Sequence, residues 1–250
     1  MMAGNVTAEV WTDGFSERHL RITGDDLGNR FFVEQLVLPA GFQVVPINSD
    51  TDYTTVNGFG SGAFFGSITG IVSISLNGGN DYVRVGPTPD PRYPLDPPIR
   101  SVLPEDLIIL GGSGKDTVDV QWLTLADASS NVQISGQDGN DTIRMQQVSC
   151  QRNIDVFTDG GNDVVIVQNT DIEGSLFLRA GVGNDRLTVS SVRVGRDLRA
   201  EMGTGNDIVS VRMSQVFAAF VNGGLGTDTL NRKGNSRVIG RTFVERLTAN

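Results

Sequence analysis

Apolar residues recur along this chain with two periods at once. Over short segments they alternate, as at Val132 and Ile134 and again at Ile143 and Met145, which is the period of a β-strand. The same positions return 22 residues later, and this predicts stacked coils of parallel strands that bury like rows on like rows. Three of these rows are Val132, Ile154, Leu176, Leu198 and Phe220, then Ile143, Val165, Leu187 and Val209, then Cys150, Ile172, Val194, Val216 and Val238.

The pattern predicts an all-β fold, a right-handed parallel β-helix (β-solenoid) with about 22 residues per coil and about eight coils. The right hand follows from the preference of parallel crossovers. We expect the helix over residues 20–241, with insertions at 34–71 and 86–100. Residues 1–19 are predicted to form a capping strand and residues 242–250 a C-terminal cap. The 86–100 insertion holds six of the nine prolines, which cannot donate to a ladder.

One loop motif recurs once in each predicted coil. It consists of an aspartate with a glycine two residues before it and an aliphatic residue two residues after it, and asparagine directly precedes five of these aspartates. The spacing predicts that the loops stack along one edge of the solenoid. Residues 20–32 are similar to a degenerate first coil, with Arg30 at the position of the aspartate. The seven aspartates are Asp81, Asp116, Asp141, Asp163, Asp185, Asp207 and Asp228.

Composition narrows the possible partners. The net charge is −9, from 29 acidic and 20 basic residues, so the chain should repel nucleic acid and anionic lipid and attract cations. No apolar run is long enough for membrane insertion, and no signal peptide is visible. The single cysteine, Cys150, allows no intrachain disulfide and is expected to be a buried apolar residue. His19, the only histidine, is predicted at the surface and argues against a catalytic triad.

Two of the loops carry a complete calcium-binding signature. Residues 111–119 and 223–231 match Gly-Gly-x-Gly-x-Asp-x-aliphatic-x at every fixed position. On these residues and on five shortened copies, residues 72–231 resemble the haemolysin-type (RTX-like) calcium-binding repeats of bacterial secreted or surface proteins. That family repeats the motif every nine residues, whereas this chain has one copy per coil.

The resemblance implies Ca²⁺ as cofactor and an extracellular or cell-surface location. In that family the aspartate and the backbone carbonyls of the loop supply the ligands. Carried over to this chain, the candidate metal ligands are the seven aspartates and the carbonyls of Gly114, Gly139, Gly161, Gly183, Gly205 and Gly226.

Physical chemistry leaves two interpretations of the stacked loops open. Carboxylates roughly 4.8 Å apart repel by about 0.9 kcal/mol in water and about 3.5 kcal/mol at an effective dielectric of 20. A hard cation with oxygen ligands would offset this repulsion. Alternatively, Gly and Asn suit loops with positive φ, Asp accepts hydrogen bonds from backbone N–H groups, and stacked asparagines form an amide ladder without metal.

The sequence therefore predicts a calcium-binding structural or adhesive repeat module. Its other expected partners are extracellular polysaccharide or surface proteins. The alternatives are a β-helical carbohydrate-active enzyme similar to polysaccharide lyases, and a purely structural β-helix without metal. We predict no catalytic residues and do not expect an enzyme, because the outward rows show no paired carboxylates and no basic cluster beside acids at fixed spacing.

Overall fold

A computed structural model describes residues 4–36, 40–48, 53–87, 99–233, 236–240, 242–245 and 248–249. Over these residues it contains strands and loops, and no helix that would be long and apolar enough to cross a membrane. The first nine strands are β1 (Gly4–Thr12), β2 (Arg18–Thr23), β3 (Arg30–Leu36), β4 (Gly41–Pro46), β5 (Thr54–Val56), β6 (Ala63–Phe65), β7 (Val72–Ser75), β8 (Tyr82–Val85) and β9 (Ser101–Leu103).

The remaining strands belong to the regular part of the solenoid and its end. They are β10 (Leu107–Ser113), β11 (Thr117–Leu125), β12 (Val132–Asp138), β13 (Thr142–Cys150), β14 (Ile154–Phe157), β15 (Val164–Gln168), β16 (Asp171–Ile172), β17 (Leu176–Val182), β18 (Arg186–Ser190), β19 (Arg193–Thr204), β20 (Ile208–Arg212), β21 (Gln215–Asn222), β22 (Thr229–Lys233), β23 (Arg237–Val238), β24 (Thr242–Glu245) and β25 (Thr248–Ala249).

Parallel pairing between successive coils builds three faces, which confirms the predicted β-solenoid. Face A stacks β2, β7, β10, β12, β14, β17, the second half of β19, the second half of β21, and β24. Face B stacks β3, β8, β11, β13, β15, β18, β20, β22 and β25. The short face C stacks β9, the end of β11, the end of β13, β16, the starts of β19 and β21, and β23.

The regular coils begin at Leu107. About six coils of about 22 residues follow from there. Two longer coils precede them, because Leu20 of β2 pairs with Val72 of β7 across the first insertion, and Val72 pairs with Leu107 of β10 across the second. The right-handed sense stays a prediction.

The irregular segments lie at the predicted insertions and ends. Strand β1 runs antiparallel to β2 and parallel to β5, and β4 pairs antiparallel with both β3 and β6. Residues 88–98 of the second insertion lie outside the described residues. Strands β24 and β25 pair in parallel with β21 and β22. The division into caps and solenoid stays a prediction.

The inward rows form the buried core, as predicted, and Cys150 lies within it. One row member was predicted wrongly. Leu198 faces Ala219, and Phe220 lies on the outer side of face A with Arg199 5.5 Å from its ring centroid. The cause is a register shift between Val194 and Asp197 that shortens the following coil by one residue.

His19 was also predicted wrongly, since only 5% of it is exposed. Its ring stacks on Trp11 at 4.2 Å. Its Nδ1 accepts the backbone N–H of Ile71 at 2.9 Å. The insertion that ends at residue 71 covers this histidine, and the sequence alone does not place that insertion.

The aspartate ladder as candidate functional site

The loops that join face A to face B bring all seven predicted aspartates into one column. We call these the acidic loops. Each aspartate is only 1 to 3% exposed, so the column lies inside the wall of the solenoid. The column continues past Asp81 to Asn29, whose backbone N–H donates to the Asp81 Oδ1. The first position of the column is therefore Asn29 and not Arg30, because Arg30 pairs with Tyr82 one residue later.

A hydrogen-bond ladder joins the aspartates. The backbone N–H of each one donates to the carboxylate Oδ1 of the aspartate in the next coil, at 2.7 to 2.9 Å from Asp81 to Asp228. A backbone N–H in a loop has no strand partner, so a carboxylate that stacks above it satisfies a group that would otherwise be buried and unpaired.

In five of the seven acidic loops, the residue before the aspartate forms a second ladder that runs the other way. Its backbone N–H donates to the side-chain Oδ1 of the asparagine in the preceding coil, at 2.6 to 2.8 Å. The donors are Lys115, Asn162, Asn184, Asn206 and Thr227, and their acceptors are Asn80, Asn140, Asn162, Asn184 and Asn206. In the loops of Asp116, Asp163, Asp185 and Asp207, two adjacent N–H groups thus donate to opposite neighbours, and this sets the register of these loops against both.

The second carboxylate oxygen has a different environment. For Asp81, Asp116, Asp141, Asp163, Asp185 and Asp207, Oδ2 is buried and accepts no hydrogen bond from the described residues. Beside Asp163 and Asp185 lies a cavity of about 10 Å³, which Thr158 and Ala180 also line. This is about the space that one water molecule needs. In each of these six carboxylates, Oδ1 therefore accepts a backbone N–H, whereas Oδ2 accepts no hydrogen bond from the described residues.

Burial shifts the protonation of the column. Desolvation, together with neighbouring carboxylates, raises the pKa of Asp81 and Asp141 to about 7 and that of Asp185 to about 6. Desolvation also raises the pKa of Asp116, Asp163 and Asp207. The donated N–H groups oppose these shifts, because they stabilise the charged form.

The glycine two residues before each aspartate has two structural reasons to be glycine. From Gly114 to Gly226 its φ lies between +132° and +142°, a region that side chains rarely adopt. A Cβ there would lie 1.5 to 1.7 Å from the carbonyl oxygen of the corresponding glycine in the preceding coil. The carbonyls predicted as calcium ligands in Gly114, Gly139, Gly161, Gly183 and Gly205 thus lie directly against the next acidic loop, and neither reason requires a metal.

A second cluster of titratable groups lies near the N-terminus. Asp13, Glu17 and His19 place potential ligand atoms within 4.8 Å of one another, and the part of the chain that the structure describes holds no other such group of three. Because His19 Nδ1 accepts the Ile71 N–H, the neutral ring carries its proton on Nε2, which lies 3.7 Å from the Asp13 carboxylate. A protonated nitrogen has no lone pair for a metal, so this cluster does not offer a histidine ligand.

Replacing one carboxylate tests the ladder. Asp163→Ala should lower the free energy of unfolding by about 1–3 kcal/mol, because the buried N–H of Asp141 loses its acceptor. Asp163→Asn keeps Oδ1 and removes the buried charge, so at pH 8 it should be at least as stable as the wild type. Urea unfolding in EDTA measures both variants, and equal losses for Ala and Asn would contradict the ladder.

Comparisons with known proteins give no further assignment. No protein-family model, no curated protein and no solved structure matches this chain. The likeness to calcium-binding repeats therefore rests on the loop residues alone.

Proposed function

We propose that this chain is a structural repeat module of an extracellular or cell-surface protein, and that it acts by presenting its outer faces rather than by catalysis. The observation that carries the proposal is the pair of opposed ladders, which tie each acidic loop to both neighbours. Their hydrogen bonds fasten one coil to the next. A chain built this way gains a rigid stack in which each coil contacts only its neighbours.

We further propose that the acidic loops of this module bind Ca²⁺. The complete motifs at residues 111–119 and 223–231 support it, and so do the six Oδ2 atoms that accept no hydrogen bond from the described residues. Oxygen atoms without hydrogen-bond donors suit a hard cation. The ion would neutralise the buried column, and it would stabilise the fold by mass action because the unfolded chain lacks the column. The extracellular location rests on the resemblance to secreted repeats.

Thermal melts at pH 8 test the calcium proposal. We expect millimolar Ca²⁺ to raise the unfolding midpoint by about 5–10 °C over EDTA, since ligand at a hundred times its Kd adds about 2.7 kcal/mol. The variant Asp163→Asn/Asp185→Asn should lose most of this increase while keeping its ladder acceptors. The alkaline pH matters because protons compete with the cation for the carboxylates.

Mg²⁺ serves as the control cation, since it prefers a smaller and more regular octahedral site. A midpoint that is the same in EDTA and in Ca²⁺ would refute calcium binding. The structural role would then stand on the two ladders alone, as the solenoid without metal.

A further inference from the structure

A groove of about 580 Å³ opens at the corner between face C and face A. The loops of four successive coils form it, and most of its lining is polar. Its volume falls within the range of small-molecule and glycan sites. Its polar lining includes Ser129, Gln151, Arg152, Glu173 and Arg196.

The 22-residue repeat places two arginines of the groove two coils apart, with a glycine between them. Arg152, Gly174 and Arg196 follow one another at 22-residue spacing, so the two guanidinium groups stem from backbone positions about 10 Å apart. A Cβ on Gly174 would lie 2.1 Å from the Arg152 carbonyl oxygen, so no side chain fits between them. The Gly174 backbone therefore forms the floor of the groove, and the arginines form its ends.

The register shift in β19 lies at this corner. Gly195 and Arg196 together face the single residue Phe217 in the next coil, which is the arrangement of a β-bulge. Bulges change the direction of a side chain and are common beside binding sites. Phe217 is 54% exposed, so an aromatic surface follows directly after Arg196.

Two arginines of the groove have no carboxylate partner, unlike two arginines on the neighbouring coils. Arg179 and Arg193 pair with acids of neighbouring coils, Glu201 and Asp171. Within the described residues, neither Arg152 nor Arg196 has a carboxylate within 4 Å. Arg152 donates one hydrogen bond to the Ser129 carbonyl at 3.2 Å, and the residue is exposed. The groove lining holds these two cations and one carboxylate, Glu173, so its net charge is positive on a chain of net charge −9, and this favours an anionic ligand.

We propose that this groove binds an acidic oligosaccharide. The carboxylate or sulfate of a sugar unit pairs with Arg152 and Arg196, while Glu173 and Gln151 bond to hydroxyl groups. Phe217 stacks on the ring of the adjoining unit. Paired guanidinium groups select the acid, and the exposed aromatic ring favours a glycan over a small inorganic anion. The inference gives the proposed surface module a partner class, and it does not depend on calcium.

Isothermal titration in EDTA tests the groove with three hexasaccharides. Hexagalacturonate carries carboxylates, a heparin-derived hexasaccharide adds sulfates, and maltohexaose is neutral. We expect saturable binding of at least one acidic probe and none of maltohexaose. The acidic probe that binds more tightly identifies the anionic group.

The variants then locate the site. Arg152→Ala and Arg196→Ala should each weaken binding at least tenfold, and Phe217→Ala should weaken it severalfold. The matched control is Arg186→Ala, which removes another exposed arginine, from face B. All four side chains are exposed, so the fold should persist, and the midpoint of each variant in EDTA verifies this.

Three outcomes would overturn the inference: no saturable binding of either acidic probe, equal binding of maltohexaose, or an equal loss in Arg186→Ala. None of these would affect the Ca²⁺-dependent rise in midpoint, so failure of the groove is distinguishable from failure of the calcium proposal.

Discussion

Gly161→Ala should destabilise the solenoid by more than about 3 kcal/mol, while Gly160→Ala should be nearly neutral. At Gly161 the φ is +138° and a Cβ would lie 1.6 Å from the carbonyl oxygen of Gly139. The obstacle is backbone of the neighbouring coil, which cannot move without breaking the ladders beside it. At Gly160 the nearest atom to a Cβ is the Asp138 Oδ1, at 3.7 Å, which is ordinary contact.

Thermal unfolding of the two variants in EDTA measures this difference. A loss of more than about 3 kcal/mol corresponds to a fall in midpoint of roughly 6–12 °C for a chain of this size. Gly160→Ala is a close control, because it makes the same chemical change one residue away in the same loop. Similar losses in both variants would show that the close stacking of the acidic loops does not hold in solution.

Without calcium, the protein should become more stable as the pH falls from 8 to 5. Asp81 and Asp141 have pKa values raised to about 7, and Asp185 to about 6, from the ordinary 3.8. Between these values the folded chain binds protons that the unfolded chain does not. The free energy of unfolding therefore decreases as the pH rises from about 4 towards these pKa values, by up to about 1.4 kcal/mol per pH unit for each group, and it levels off above them.

Below pH 4 this gain is complete, since the unfolded carboxyls are then protonated as well. Asp13 and Asp127, whose pKa values are lowered by hydrogen bonds within their own loops, give a smaller opposing trend at the acid end. Urea unfolding at pH 5, 6, 7 and 8 in EDTA measures the slope. Asp141→Asn/Asp185→Asn should make the slope shallower, with Asp81 still contributing, and a wild-type stability that rises with pH would contradict the buried column.

A calcium site and a metal-free column of buried carboxyls should respond to acid in opposite ways. In the proposed site Ca²⁺ would bind the ionised carboxylates, so its effect should be largest at pH 8 and fade towards pH 5. Protonation of the same column, in contrast, stabilises the fold as the pH falls. The two titrations together separate a cation site from a column that protons neutralise.

The sequence by itself determined the coil, its length and the edge that carries the acidic loops. Parallel stacking turns a spacing along the chain into a position in space, so that a row such as Val132, Ile154 and Leu176 appears in the sequence as a 22-residue period. The alternation within each coil separated inward from outward residues for the same reason. These features depend only on local period, and no long-range information was needed to predict them.

Only the tertiary structure decided which way each polar group bonds. The aspartate ladder points to the next coil and the asparagine ladder to the preceding one, and a spacing of 22 residues is compatible with either direction. The outward position of Phe220 depends on a single residue of offset between coils, at the register shift beside Arg196. Such an offset is set by packing between neighbouring strands, because a one-residue slip reverses which side chains are buried.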